Sequence, residues 1–302
     1  MSDNLPISEK DNNKNDVQTA VEVSVVSIAA NSVLSLFKLA AGFFANSGAM
    51  VSDGVHSASD VFSSIIVIIG VKLAGNKPDN EHPYGHERFE CVAAIILAVL
   101  LFLTGLMIGA EAIGDITGGN YENFTPPGIL ALIAAIISIV VKEAMFRYTR
   151  HYAKIIDSGA VMADAWHHRS DALSSVGALI GILGARNGIP ILEPIASIVI
   201  CLFIIKAAYG IFADAVNKMV DHSCDEETED AIRDCVLAHE DVIGVDLLKT
   251  RIFGNKIYAD IEICVDGSKT LSEGHAIAEQ VHNTVEKNFP NLKHIMVHVN
   301  PE

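Results

Sequence analysis

The chain has 302 residues, half of them hydrophobic, with a mean hydropathy of +0.36 and a formal net charge of −16. That balance excludes a disordered polypeptide and argues against a wholly water-soluble one. The negative charge gathers late: residues 221–302 hold 17 Asp and Glu against 7 Lys and Arg, which argues against nucleic acid or an anionic lipid surface as partner and suits the attraction of cations.

Residues 1–17 are polar, lack the pattern of a cleaved signal peptide, and are expected to be disordered. Residues 18–215 hold six predicted spans, at Val21–Ala45, Ala49–Leu73, Phe89–Ile113, Gly128–Tyr148, Gly159–Leu183 and Ile189–Phe212. The fourth, with the run GILALIAAIISIVV, is the cleanest. The second and fifth are the polar ones, and small residues (Ser57, Ala58, Ser63, Ser64; Ala172, Ser174, Ser175, Gly177) permit close helix approach in both. Basic residues mark alternate loops: Lys10 and Lys14, then Lys77 and Arg88, then Arg147, Arg150 and Lys154. The positive-inside rule therefore predicts cytoplasmic N- and C-termini in a multi-pass protein of the cell (inner) membrane. Trp166 is read as an interface anchor.

Residues 216–302 change character. Asp225–His239 reads as an amphipathic helix with an acidic first turn. Val242–Phe253 and Lys256–Val265 read as strands joined at Gly254-Asn255, Thr270–Asn288 as a helix opened by a capping box, and His294–Val299 as a last strand. The expected fold is thus an all-α six-helix transmembrane bundle followed by a cytoplasmic α+β domain of order αββαβ. Cys91, Cys201, Cys224, Cys235 and Cys264 show no CxxC spacing, so no disulfide is predicted and a reducing compartment fits.

Chemistry concentrates in two pairs, His56-Ser-Ala-Ser-Asp60 and His167-His-Arg-Ser-Asp171. Each is spaced i, i+4, so both side chains share a helix face. Ionisable groups inside a membrane span are costly and mark function. Two imidazoles and two carboxylates make a four-ligand set suited to a borderline divalent ion such as Zn²⁺, and protons compete with metal for imidazole nitrogen. Asp53 and Asp164 precede the two histidines by three residues and form either an acidic vestibule or hydrogen bonds inside the bundle. The loop after the second span, DNEHPYGHERFE, brings Asp79, His82 and His86 into metal-ligand spacing, with Gly85 for a tight turn; a solvated, helix-capping loop is the alternative. Asp246, Glu262, His275, His282, His294 and His298 are scattered over the last domain with no spacing that joins them. P-loop, GxSxG, HExxH and GxGxxG signatures are missing, so neither an enzyme nor an ATP-driven pump is expected, and no bound cofactor.

With SDGVHSASDVFSS, ADAWHHRSDALSS, the DNEHPYGHERFE loop and the αββαβ domain in place, the chain resembles the cation diffusion facilitator family along nearly its whole length. The resemblance implies a homodimeric divalent-metal/proton antiporter whose last domain is ferredoxin-like, or metallochaperone-like. It places the intramembrane transport site at His56, Asp60, His167 and Asp171, a second metal site at Asp79, His82 and His86, and a charge interlock at Arg88 and Asp221. Zinc is the expected substrate, with Co²⁺, Fe²⁺, Ni²⁺, Cd²⁺ or Mn²⁺ as the others. The positions of the family's cytoplasmic metal centre hold Asp246, Glu262, His275, His298 and Asn300 here; two histidines have become carboxylates and an aspartate has become Asn300, so a weaker or lost centre is expected. A membrane metal sensor or assembly scaffold is the second reading. A membrane metallohydrolase with Asp53 or Asp164 as base is the third.

Overall fold

Apolar runs longer than the roughly 20 residues that cross a bilayer become helices through the first two thirds of the chain. The computed structural model describes residues 7–44, 54, 57, 58, 60–119, 129–187, 189, 191–254 and 256–302. It divides into two units, one of Lys10–Ala215 and one that contains Val216–Glu302. Among the described residues the helical elements are α1 (Ile7–Phe44), α2 (Val61–Ala74), α3 (Arg88–Gly118), α4 (Ile129–Ile155), α5 (Gly159–Arg186) and α6 (Leu192–Met219). Asn15–Ala40, Arg88–Gly118 and Pro194–Met219 are long and apolar enough to cross a membrane by length and composition. Helices α4 and α5 are long but interrupted by charge, at Lys142 and Glu143 and at Asp164, Arg169 and Asp171.

One expectation needs correction. The polar stretch 1–17, read as disordered, is helical from Ile7 onward. Glu9, Lys10 and Lys14 are good helix formers, and the early acids Glu9 and Asp11 suit the positive end of the helix dipole.

Helix α5 packs against α2, α3 and α4. Val67, Leu97, Ala153, Ala160 and Val161 form one buried cluster, and Leu101, Ile200, Ile204 and Ala208 another. Gly70 allows α2 to approach α3 closely, since a Cβ built there would lie 2.3 Å from the Cβ of Ala93. Beside these apolar clusters the bundle also buries polar side chains, and its exterior is apolar. On α1, Ser24, Ser27, Asn31, Ser35 and Lys38 are buried at helical spacing, while Val25, Val33, Leu36 and Phe37 are exposed. Met107, Leu202 and Phe203 continue the apolar exterior, as lipid contact requires.

The second unit contains α7 (Glu226–Leu237), β1 (Gly244–Phe253), β2 (Lys256–Val265), α8 (Leu271–Asn288) and β3 (Leu292–Pro301), in the expected αββαβ order. Strand β2 lies centrally, antiparallel to β1 and parallel to β3, with α8 as the crossover that a parallel pair needs. Asp225 caps α7 by accepting from the Thr228 amide at 2.9 Å. Thr270 and Glu273 form the capping box of α8. Ile232, Ile261, Ile263, Val281, Val285 and Ile295 meet in the core between helices and sheet. Ile263→Ala is therefore expected to cost about 2–5 kcal/mol. It would appear as a lowered midpoint for this unit in denaturant unfolding of the full chain; an unchanged midpoint would exclude that core.

Candidate metal centre

The centre forms where α2, α4 and α5 meet. Asp60 stands at the N-cap of α2 but makes no side-chain capping bond to the helix. Its oxygens face the other helices instead: the Lys142 ammonium donates to Asp60 Oδ2 at 2.5 Å, and His167 Nε2 lies 3.3 Å from Asp60 Oδ1. The same ammonium donates to Asp171 Oδ2 at 2.7 Å. The helical i, i+4 spacing sets His167 and Asp171 on one face of α5, as the sequence predicts. One donor atom from each of Asp60, His167 and Asp171 falls within a span of 4.8 Å. Three of the four expected ligands thus converge. His56 lies outside the described residues, as does Asp53.

Lys142 is 1% exposed, Asp60 3% and Asp171 8%, so the trio of one ammonium and two carboxylates is buried. Removing such charges from water costs several kcal/mol per ion, and only mutual pairing offsets it. Beside the trio lies a cavity of about 220 Å³ whose lining includes Lys38, Glu111, Ser138, Lys142, Ser170 and Asp171. The hydroxyls of Ser138 and Ser170 are buried without a hydrogen-bond partner among the described residues. Lys38 donates to Ser57 Oγ at 3.0 Å. Neither lysine was part of the expected site. The signal was present, because a lysine within an apolar span meets the same cost criterion as the histidines and aspartates.

Asp164 settles between its two expectations. It is fully buried, accepts from Ser63 Oγ at 2.9 Å and from Ser64 Oγ at 3.2 Å, and lies 3.5 Å from His168 Nε2. It is a bond inside the bundle and not a vestibule. His168, which sequence reasoning passed over, is equally buried and reaches Ser27 Oγ on α1 at 3.3 Å.

The loop after α2 folds around Asp79. Its Oδ1 accepts from the amides of His82 at 2.7 Å and Glu81 at 2.9 Å. His82 Nδ1 lies 3.3 Å from Asp79 Oδ1 and His86 Nε2 lies 3.4 Å from Asp79 Oδ2. Gly85 makes the turn at φ 105°, where other side chains are strained. The expected trio Asp79, His82 and His86 is therefore assembled, with donor atoms within 4.8 Å. The His82 amide above all holds the Asp79 carboxyl below the usual aspartate range, helped by the Glu81 amide, the His82 ring and the charge of His86, while burial opposes them.

In the second unit the expected set does not assemble. The Asn300 amide donates to Asp246 Oδ2 at 2.9 Å and to Glu262 Oε2 at 3.2 Å, bridging the two carboxylates. Among the described residues, Asp246, Glu262, His275 and His298 form no three-donor group. An amide cannot serve as the anionic ligand an aspartate would be, and it binds the carboxylates itself. A different trio does meet there: His282 and Glu286 on α8 with His294 on β3. His282 Nδ1 donates to the Ile295 carbonyl at 2.8 Å, which turns Nε2 toward Glu286 Oε1 at 3.1 Å. Arg88 opens α3, and Asp221 holds a left-handed φ of 62°; their expected interlock stands as a proposal.

Comparison with known proteins places these features. The cation efflux transmembrane domain matches residues 24–220, and the cation efflux protein cytoplasmic domain matches residues 224–302. An uncharacterised transporter of Methanocaldococcus jannaschii is 38% identical over 275 residues, covering 91% of this chain and 96% of that protein. The manganese efflux system protein MneP of Bacillus subtilis is 30% identical over 291 residues, covering 94% and 97%. The magnetosome protein MamB of a Magnetospira strain is 31% identical over 265 residues, covering 88% and 89%.

Because its folded pKa is depressed, Asp79 contributes stability to the loop above the ordinary aspartate value of 3.8. That contribution is lost only as pH falls through the lowered value. The Asp79 carboxyl carbon resonance is expected to titrate with a midpoint below the ordinary aspartate value; a midpoint at or above it would contradict the clamp.

Proposed function

This chain belongs to the cation diffusion facilitator family, and from that premise we propose that it is a metal/proton antiporter exporting Zn²⁺ from the cytoplasm. It is a multi-pass membrane protein of a cation efflux family. The observation that carries the finer reading is the meeting of Asp60, His167 and Asp171 in a buried three-donor group between helices. His56 is the proposed fourth ligand. Two imidazoles and two carboxylates suit a borderline ion better than Mg²⁺ or Ca²⁺, which take all-oxygen shells. Imidazole also supplies a means of release, since a proton and a metal compete for one lone pair.

In the proposed cycle the metal enters from the cytoplasmic side and is held by these side chains, and the bundle then opens outward. Protons displace the metal at His56 and His167 and are carried inward on return. Cytoplasmic termini follow from the placement of Lys77, Arg147, Arg150 and Lys154. The Asp79–His82–His86 loop is proposed as a second, cytoplasmic metal site. A homodimer is the proposed assembly, supported by the match of the last domain to the family's cytoplasmic domain. The manganese named in one relative makes Mn²⁺ the ion to set against Zn²⁺.

Purified protein in liposomes under a pH gradient is expected to take up Zn²⁺ saturably, and Asp60→Ala is expected to lower that flux by at least about tenfold. Uptake of Mn²⁺ or Fe²⁺ but not Zn²⁺ would keep the mechanism and overturn the choice of metal. Tight binding without flux of any ion would assign the chain to the sensor or scaffold class.

A further inference from the structure

We propose that Lys142 is a tethered cation that occupies the carboxylate pair of Asp60 and Asp171 while no metal is bound, and that the arriving metal displaces it into the adjoining cavity. This deepens the transport reading and rests on it. The ammonium stands 2.5 Å from one carboxylate and 2.7 Å from the other. A metal bound to the same two oxygens would sit about 2.0–2.2 Å from each, in the space the ammonium fills. The two cannot share those two Oδ2 atoms, and a metal on them excludes the ammonium.

Charge leads to the same conclusion. Lys38 and Lys142 line one cavity with Asp60, Asp171 and Glu111, two positive against three negative among the described residues. A divalent ion added to that set, with Lys142 still in place, leaves an uncompensated positive charge inside hydrocarbon, beside a like charge. Withdrawal of the lysine frees two carboxylates for the metal and separates the two cations.

The cavity offers somewhere to withdraw to. Ser138 lies one helical turn before Lys142 on α4, and Ser170 directly precedes Asp171 on α5. Both hydroxyls are buried, without a partner among the described residues, and line the cavity, and the Glu111 carboxylate lines it too. Hydroxyls accept from an ammonium, and the flexible four-carbon stem of lysine lets its compact head move between partners. A permanent structural ion pair explains the short distances. It does not explain why two buried hydroxyls without a protein partner among the described residues line the cavity next to the pair, where an ammonium could reach them. The return of Lys142 to the carboxylates then helps to expel the metal, so the lysine sets affinity and release together.

The test compares wild type, Lys142→Met and Lys142→Arg as full-length protein, with Asp60→Ala marking the site. Zn²⁺ binding is read by calorimetry in detergent, and KM and maximal rate are read in liposomes. Removal of the competing charge is expected to tighten binding by about tenfold or more, with a lower KM and a lower maximal rate. Arginine, whose bidentate fork holds carboxylates more strongly than an ammonium does, is expected to weaken binding by about tenfold or more. A structural pair predicts otherwise: unchanged or weaker binding in Lys142→Met, with both kinetic constants worsening, would overturn the proposal. Should Lys142→Met fail to fold, unchanged affinity in Lys142→Arg overturns it alone. Wild type that binds Zn²⁺ at the Asp60-dependent site but carries none would sink the transport reading while the affinity comparison still decides the role of Lys142. Wild type that binds no metal overturns both.

Discussion

Charge buried in a medium without water must be met by charge, and the bundle is organised around one such meeting. Lys142 on α4 reaches Asp60 at the head of α2 and Asp171 on α5, so three helices share one ammonium. None of the three groups is stable there alone. Their pairing fixes the depth and facing of each helix, and it places His167 against Asp60 as a consequence. A neighbouring cluster repeats the logic with weaker donors: Asp164 is held by two serines and His168, and His168 ties α5 to Ser27 of α1. The apolar helices supply the thickness of the bundle. The polar contacts decide which faces meet.

The same logic separates what the sequence disclosed from what it withheld. The i, i+4 histidine–aspartate pair of α5 was legible because helical periodicity turns spacing into direction. The αββαβ order was legible because Thr270 and Glu273 announce a helix start and because strand alternation differs from helical period. Lys142 was legible only in part: it lies inside the fourth predicted span, Gly128–Tyr148, where its cost marks it, but no local pattern says which carboxylates it meets. Only the crossing of α2, α4 and α5 shows that it points inward. The His282, Glu286 and His294 group was hidden for another reason: α8 and β3 become neighbours through a parallel crossover that no local pattern specifies.

The two units therefore treat carboxylates in opposite ways. In the bundle, Asp60 and Asp171 share one ammonium, that of Lys142. In the second unit, Asp246 and Glu262 are bridged by the neutral amide of Asn300. A neutral bridge leaves the net negative charge intact, in keeping with a domain whose acidic surface attracts cations broadly. The loop around Asp79 lies between these extremes, with a carboxylate fixed by backbone amides and flanked by imidazoles.

The polar stripe of α1 limits how the bundle can move. Ser24, Ser27, Asn31, Ser35 and Lys38 face inward along one side, while Val25, Val33, Leu36 and Phe37 face outward. Each residue step turns the helix by about 100°, so a spin of one step about its axis would push the stripe toward lipid, where each unmatched polar group costs several kcal/mol. Sliding and tilting carry no such penalty, because they keep the stripe inward. Helix α1 thus favours one orientation about its axis, and a movement that slides or tilts it keeps its polar stripe inward where a spin would not.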